Sequence, residues 1–291
     1  MTAIRNFMTG SKHSPSAAAA STPVSFPANR SWWARHGRTV MIAFWRVVLF
    51  VVVMAAWQFT AGRLVDKLFI SCPSDVAQRL AKWTGNGVLW ANARITVEET
   101  VLGYVIGAAV GVVLGFVLAL LDTLGRIAEP FMIALYSIPK VAVAPLFIIW
   151  FGIDVRMKVL LAAATVFFLV FLNTLSGVRA IEAELVNAGR LMDANKRQLL
   201  IKVIVPGSLA GVITGLRVAV PYALLGAVVG ELVASNRGLG YLILSSASAF
   251  DPAGVFAALV VVTVIAMVLN LVVNLFDRHV TRWRPPARES V

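Results

Sequence analysis

The sequence predicts an all-α integral membrane protein, a polytopic bundle of about six transmembrane helices with one polar loop that works in water. Three observations carry that reading. Of 291 residues, 59% are hydrophobic and 14% charged, where a soluble domain carries about a quarter charged residues, and the mean hydropathy is +0.84. Apolar runs long enough to cross a bilayer, at about 20 residues each, recur along the chain. Between two of them lies a polar stretch, Val178 to Pro206, whose apolar residues return at helical spacing.

Residues 1–38 are rich in Ser, Ala, Pro and Thr and lack periodicity, which predicts a disordered tail. Residues 39–277 form the transmembrane domain, and residues 278–291 a basic tail with Arg278, Arg282, Arg284 and Arg288. The first span is Thr39 to Ala61, too long and too late in the chain for a cleaved signal, with Arg46 snorkelling toward an interface. In the connection that follows, Val76, Leu80 and Trp83 mark a short amphipathic helix lying on the bilayer.

The second span, about Thr96 to Leu121, places Gly103, Gly107, Gly111 and Gly115 at intervals of four. That spacing leaves one helix face without side chains and lets another backbone approach closely. After a connection over Asp122 to Pro130, the third span, Phe131 to Trp150, contains Pro139, Lys140 and Pro145. Prolines leave carbonyls unpaired and a lysine is costly in a membrane, so Pro139 and Lys140 are candidates for the translocation path. The alternative for Lys140 is that its ammonium reaches an interface or a freed carbonyl.

The fourth span, Met157 to Ser176, ends in Asn173 and Thr174, which can bond across helices. The fifth, Gly207 to Ala234, repeats the small-residue device with Gly211, Gly215, Ala219, Ala223 and Ala227. It also carries Arg217 and Glu231, the remaining path candidates. Arg217 has the alternative of reaching the cytoplasmic interface as a structural residue; Glu231 has that of fixing the Gly238-Leu239-Gly240 turn, and it reads as the one carboxylate inside a span. Ser235 to Pro252 is a partly re-entrant connection, and Ala253 to Phe276 the last span.

The polar stretch reads as two short helices. Ile181, Leu185, Ala188, Met192 and Leu199 form the face expected to dock, with Glu182, Glu184, Asn187, Arg190, Lys196 and Arg197 offered on the other side. Asp193, Ala194 and Asn195 put a corner between the helices, because Asp and Asn tolerate left-handed backbone. Asn195 followed by Gln198 is the cap pattern that begins the second, and Pro206 suits the first turn of the next helix.

This stretch resembles the Glu-Ala-Ala loop in the permease subunits of binding-protein-dependent ABC importers. Asn187, Ala188 and Gly189 stand at the triplet, Asp193 at the glycine four residues beyond it, and Val203, Val205 and Pro206 at the Ile-x-Leu-Pro end. The resemblance extends through SIPKVAVAPLFIIWFG (Ser137 to Gly152), VVGELVAS (Val228 to Ser235) and NRGLGYLI (Asn236 to Ile243), and is closest to the nitrate, sulfonate and taurine branch. It implies ATPase coupling through Asn187, Ala188, Gly189, Arg190, Asp193, Ala194, Lys196, Arg197 and Pro206. It also implies a second permease copy, two ATP-binding cassette ATPase subunits, an extracytoplasmic solute-binding protein and a small anionic solute. ATP would be used by the partner subunit, and this chain would bind no cofactor.

Other classes fit less well. The net charge of +12 lies in tails and connections and forms no basic stripe, which argues against nucleic acid. With both termini cytoplasmic, inner segments hold fifteen lysines and arginines against eight outside, the bias that orients inner-membrane proteins. One cysteine, three histidines confined to the tails and no phosphate-binding Gly-Lys loop leave no catalytic constellation. A secondary transporter or channel without an ATPase would call for inverted repeats, and none is apparent.

Overall fold

The computed structural model describes residues 32–61, 63 and 70–280, with side chains from 40 to 275 of that range. Most of both predicted tails lies outside the described residues. The chain divides into two compact units, Met1–Val53 and Met54–Val291, and helix α1 (Trp32–Thr60) runs through the boundary.

The regular elements of the second unit are all helices, with no strand among its described residues. It contains α2 (Pro73–Gly85), α3 (Val88–Leu120), α4 (Asp122–Ser137), α5 (Lys140–Phe151) and α6 (Val155–Arg179). Then follow α7 (Ala183–Leu191), α8 (Lys196–Leu199), a π-helical turn (Leu200–Ile204), α9 (Val205–Val233), α10 (Leu239–Ser248) and α11 (Pro252–Val280). Among the described residues, five helices are long and apolar enough to cross a membrane, and six crossings result if the bent pair α4–α5 counts as one.

The core is α6, held between α3 and α9. The glycine ladder of α3 makes the first contact: an added Cβ at Gly103 would strike Ala162, at Gly107 Val166, at Gly111 Val170 and at Gly115 Thr174. The partner advances by four whenever the glycine does, so α3 and α6 run parallel. Along α9 the register reverses: Gly211 meets Gly177, Gly215 meets Asn173, Gly226 meets Ala162 and Gly230 meets Lys158. Thus α9 is antiparallel to α6. Backbone approach this close multiplies dispersion contacts, which matter most where lipid offers no hydrophobic drive between helices. Ala219, Ala223 and Ala227 on α9 are fully buried.

Two parallel neighbours require the chain between them to return the length of the bundle. Only α4 and α5 can do this, although they meet at 94°. The third span is therefore broken at Ile138–Pro139 rather than running straight from Phe131 to Trp150, and the expected connection over Asp122 to Pro130 is the first half of α4. The cause is local: proline disfavours helical geometry in the residue before it, and Ile138 is extended at φ −67°, ψ 126°.

Three other expectations change. Helix α2 packs on protein: Val76 and Trp83 are buried with Leu239, Leu242, Ala257 and Ala258, and Arg79 pairs with Asp251 at 2.8 Å. Helix α3 begins at Val88, eight residues before the predicted span. Asn173 bonds back to Leu169 of its own helix at 2.8 Å instead of crossing to a neighbour, and the buried Thr174 hydroxyl has no hydrogen-bond partner among the described residues.

Candidate functional site

Two places gather the chemistry, one at each end of the α3–α6–α9 core. The first is the corner between α7 and α8, beyond the α6 C-terminus. Helix α7 ends in a Schellman motif: the Ala194 N–H donates to the Gly189 carbonyl at 3.1 Å and the Asp193 N–H to the Arg190 carbonyl at 3.0 Å. Asp193 holds the left-handed position that motif demands, at φ 56°. Helix α8 opens with a reciprocal cap, the Gln198 N–H donating to Asn195 Oδ1 and the Asn195 N–H to Gln198 Oε1, each at 2.9 Å.

Gly189 packs inside this corner, where a Cβ would lie 2.7 Å from Leu199 Cδ2. Leu199 is buried. Asn187, Ala188, Arg190, Asp193, Lys196 and Arg197 are exposed and Ala194 is half-buried. Of the predicted apolar face, Leu199 is buried and Ile181 half-buried beside Gly207, but the α7 part is uncovered: Leu185 is 55% exposed, Met192 83% and its neighbour Leu191 87%. Periodicity marked the stripe but could not say which partner covers it. Pro206 falls in the first turn of α9, yet no break precedes it, because the π-helical turn carries the helix on from α8.

The bend between α4 and α5 contains Pro139 and Lys140. The Lys140 ammonium donates to the carbonyls of Leu135, Tyr136 and Ile138 at 3.0–3.1 Å and lies 4.7 Å from the Phe168 ring centroid. An ammonium has three N–H donors, so Lys140 is committed to closing the C-terminal end of α4, where helix polarity also favours a cation. Arg217 lies on an exposed face midway along α9.

The second place is the buried junction of α3, α6, α9 and α10. Glu231 is fully buried; its Oε2 accepts the Gly240 N–H and its Oε1 the Thr96 hydroxyl, both at 2.7 Å. Thr96 Oγ1 accepts the Leu239 N–H at 2.9 Å, and Asn92 Oδ1 the Gly238 N–H at 2.7 Å. The three leading N–H groups of α10, which no helix can satisfy internally, are thus met by side chains from α3 and α9. The glycines are sterically required. Gly238 sits at φ 104°, and a Cβ there would overlap the Glu231 carboxylate; one on Gly240 would lie 2.6 Å from the Val228 carbonyl.

Besides Asn92 and Thr96, sequence reasoning missed two charged residues of this junction. Glu99 on α3 is 1% exposed and Lys158 on α6 is 5% exposed, and they pair at 2.5 Å. Lys158 also donates to Ser235 Oγ at 3.2 Å. Glu231 is therefore not the lone carboxylate within the spans, and Lys158 is not part of an outer connection. Both sit near the starts of the predicted spans, where a charge ordinarily reads as interfacial, although Glu99 lies three turns into α3; the available signal was their four-helix convergence, which a linear pattern does not display.

The family model for the inner membrane component of binding-protein-dependent transport systems matches residues 107–284. The chain belongs to that family. It is 30% identical to a putative aliphatic sulfonates transport permease protein of Bacillus subtilis, over 82% of this chain and 87% of that one. It is 37% identical to a riboflavin transport system permease protein of Chloroflexus aurantiacus, over 81% and 88%, and 28% identical to the taurine transport system permease protein of Escherichia coli, over 81% and 87%. Among solved structures it is similar to a chain of the MetNI methionine ABC transporter in an inward-facing conformation, with a TM-score of 0.58 and 18% identity, over 68% of this chain and 96% of that one. That likeness concerns the fold. Permeases of this family are multi-pass inner-membrane subunits of ABC importers, and both places described above lie within the matched region or its packing partners.

Proposed function

We propose that this permease is one of two copies that form the membrane channel of an ATP-driven importer, with an ATPase subunit seated on each α7–α8 corner. The exposure of Leu185, Leu191 and Met192 carries the reading. Large apolar side chains presented by a rigid, doubly capped corner outside the span are what a partner surface in water would bury. The corner is continuous with α9 through the π-helical turn, so a displacement of the corner passes into the core as a rigid lever. The termini and the corner then face the cytoplasm, and an extracytoplasmic binding protein delivers solute to the α10 end. Arg217, on an exposed face of α9, lies on the surface toward the second copy or the path.

Co-purification of the tagged chain with its ATPase tests this. Leu191→Asp combined with Met192→Asp should lower ATPase recovery about tenfold or more while the chain's melting temperature stays unchanged. Equal recovery from wild type and variant would remove the corner from the interface, and no recovery from wild type would end the importer reading.

For cargo, the names of the sulfonate and taurine relatives support a small organic anion. A heteroaromatic solute is the second reading, favoured by the riboflavin permease at 37% identity and by the commitment of Lys140 to carbonyls. Calorimetric titration of the cognate binding protein with taurine and with riboflavin separates them.

A further inference from the structure

Helix α4 lies on the core without being part of it. Against the described residues it buries only Gly125, while Ile127, Phe131, Ile133 and Leu135 are exposed. Its points of attachment to α6 fall on one stripe. Gly125 and Glu129, one turn apart, meet Arg179, the last residue of α6. Tyr136, two turns further on, meets Phe168 with ring centroids 6.4 Å apart. The partner recedes along α6 as α4 advances, so the two helices are antiparallel.

The two attachments differ in kind. At the Tyr136 end the Lys140 ammonium, bonded to the last carbonyls of α4, also lies 4.7 Å from the Phe168 ring centroid, and Ala144 of α5 is fully buried. This end is fixed. At the other end the hold is an ion pair, Arg179 Nη1 to Glu129 Oε2 at 2.5 Å, with side chains 31% and 37% exposed. Gly125 makes room for it: a Cβ there would run into the Leu118 carbonyl and lie 3.2 Å from Arg179 Nη2. The other cation of this helix, Arg126, is engaged by Asp122 at 3.0 Å.

An ion pair this exposed adds little to stability; what it fixes is position. Only Ala180, Ile181 and Glu182 separate Arg179 from α7. That link is short and bonded back onto α6, the Ala180 N–H donating to the Ser176 carbonyl at 2.9 Å and the Ile181 N–H to the Val178 carbonyl at 3.3 Å. The Ile181 side chain rests against Gly207 at the base of α9.

We infer that Arg179 and Glu129 form a coupling strut. A displacement of the α7–α8 corner passes into α9 and also, through the end of α6, into α4, the first half of the broken crossing. Because the far end of α4 is held by Lys140 and Phe168, α4 tilts about the Ile138–Pro139 break while α5 stays seated. Both are positioning residues, acting through α4 on the crossing and touching neither nucleotide nor cargo. The inference rests on the corner being the ATPase seat.

Hydrogen exchange followed by mass spectrometry, on the permease–ATPase complex in lipid nanodiscs with and without ATP and vanadate, tests the strut whatever the cargo is. In wild type, nucleotide should change exchange in residues 122–137 and in the first turns of α9 together. Glu129→Gln and Arg179→Gln should each abolish the α4 response while ATPase recovery and the α9 response persist. Glu129→Arg combined with Arg179→Glu, which rebuilds the pair reversed, should restore it. A pair that merely braced α4 would alter its exchange equally with and without nucleotide, and that result overturns the proposal. So does a wild-type α4 that ignores nucleotide while α9 responds, or an α4 response that survives both neutral variants. Failure of wild type to retain the ATPase is a different outcome: it removes the docking reading, and the strut falls with it.

Discussion

The two ends of the core hold their polar groups by opposite means. At the α7–α8 corner every decisive bond is local: Ala194 to Gly189, Asp193 to Arg190 and Asn195 with Gln198. At the α10 end the bonds join residues 135 and 146 positions apart, as in Thr96 to Glu231 and Gly238 to Asn92. A corner built from local bonds keeps its own shape while its surroundings change, which suits a part that is pushed. A junction built from distant bonds exists only while four helices stay together, which suits a part that closes or opens. The corner is exposed, so its hydrogen bonds compete with water; the junction is buried, so the loss of any partner strands another.

Substitutions sharpen this contrast. The largest effect is expected at the junction: Lys158→Met removes the ammonium beside two buried carboxylates and should cost about 3–5 kcal/mol, seen as a marked drop in melting temperature in detergent. Next is the core between the ends. Gly107→Leu drives a side chain into Ala163 and Val166, a small-to-large change in a packed site that costs about 1–3 kcal/mol, measured as lower folded yield and earlier melting.

At the corner the effects should be smaller and confined. Asn195→Ala removes one side of the reciprocal cap and should cost about 1 kcal/mol, appearing as faster hydrogen exchange in 196–199 with no change at Gly238–Gly240. The smallest change is a gain: Asp193→Gly relieves a left-handed aspartate and should stabilise the corner by about 0.5–1 kcal/mol, slowing exchange at Ala194. If Asn195→Ala instead melted the whole chain as Lys158→Met does, the contrast between local and distant construction would fail.

Local rules made much of the corner legible before any fold was known. Asp193 tolerates positive φ, and Asn195 with Gln198 three residues on can close only one kind of bond pair. What was not legible was direction: Leu185 and Met192 recur as a core stripe would, and their exposure follows from how α7 leaves the end of α6. Lys140 was open between path and carbonyl because Pro139 marks a break locally but not its 94° angle, and it is the angle that brings three carbonyls to the ammonium. Glu99 and Lys158 were passed over because each alone, near the start of a predicted span, looks like an interfacial charge.

By itself the sequence determined the membrane class, the existence and approximate place of the spans, the small-residue faces and the capped corner. Each depends on composition or on neighbours within about four positions, where helix geometry fixes who can meet whom. Tertiary structure alone decided that α3 runs parallel to α6, that α4 and α5 make one broken crossing, and that two acids and a lysine from three helices share one buried junction. Those facts depend on register between distant segments, which is set when glycine faces close on their partners and the packing excludes water from the charges left between them.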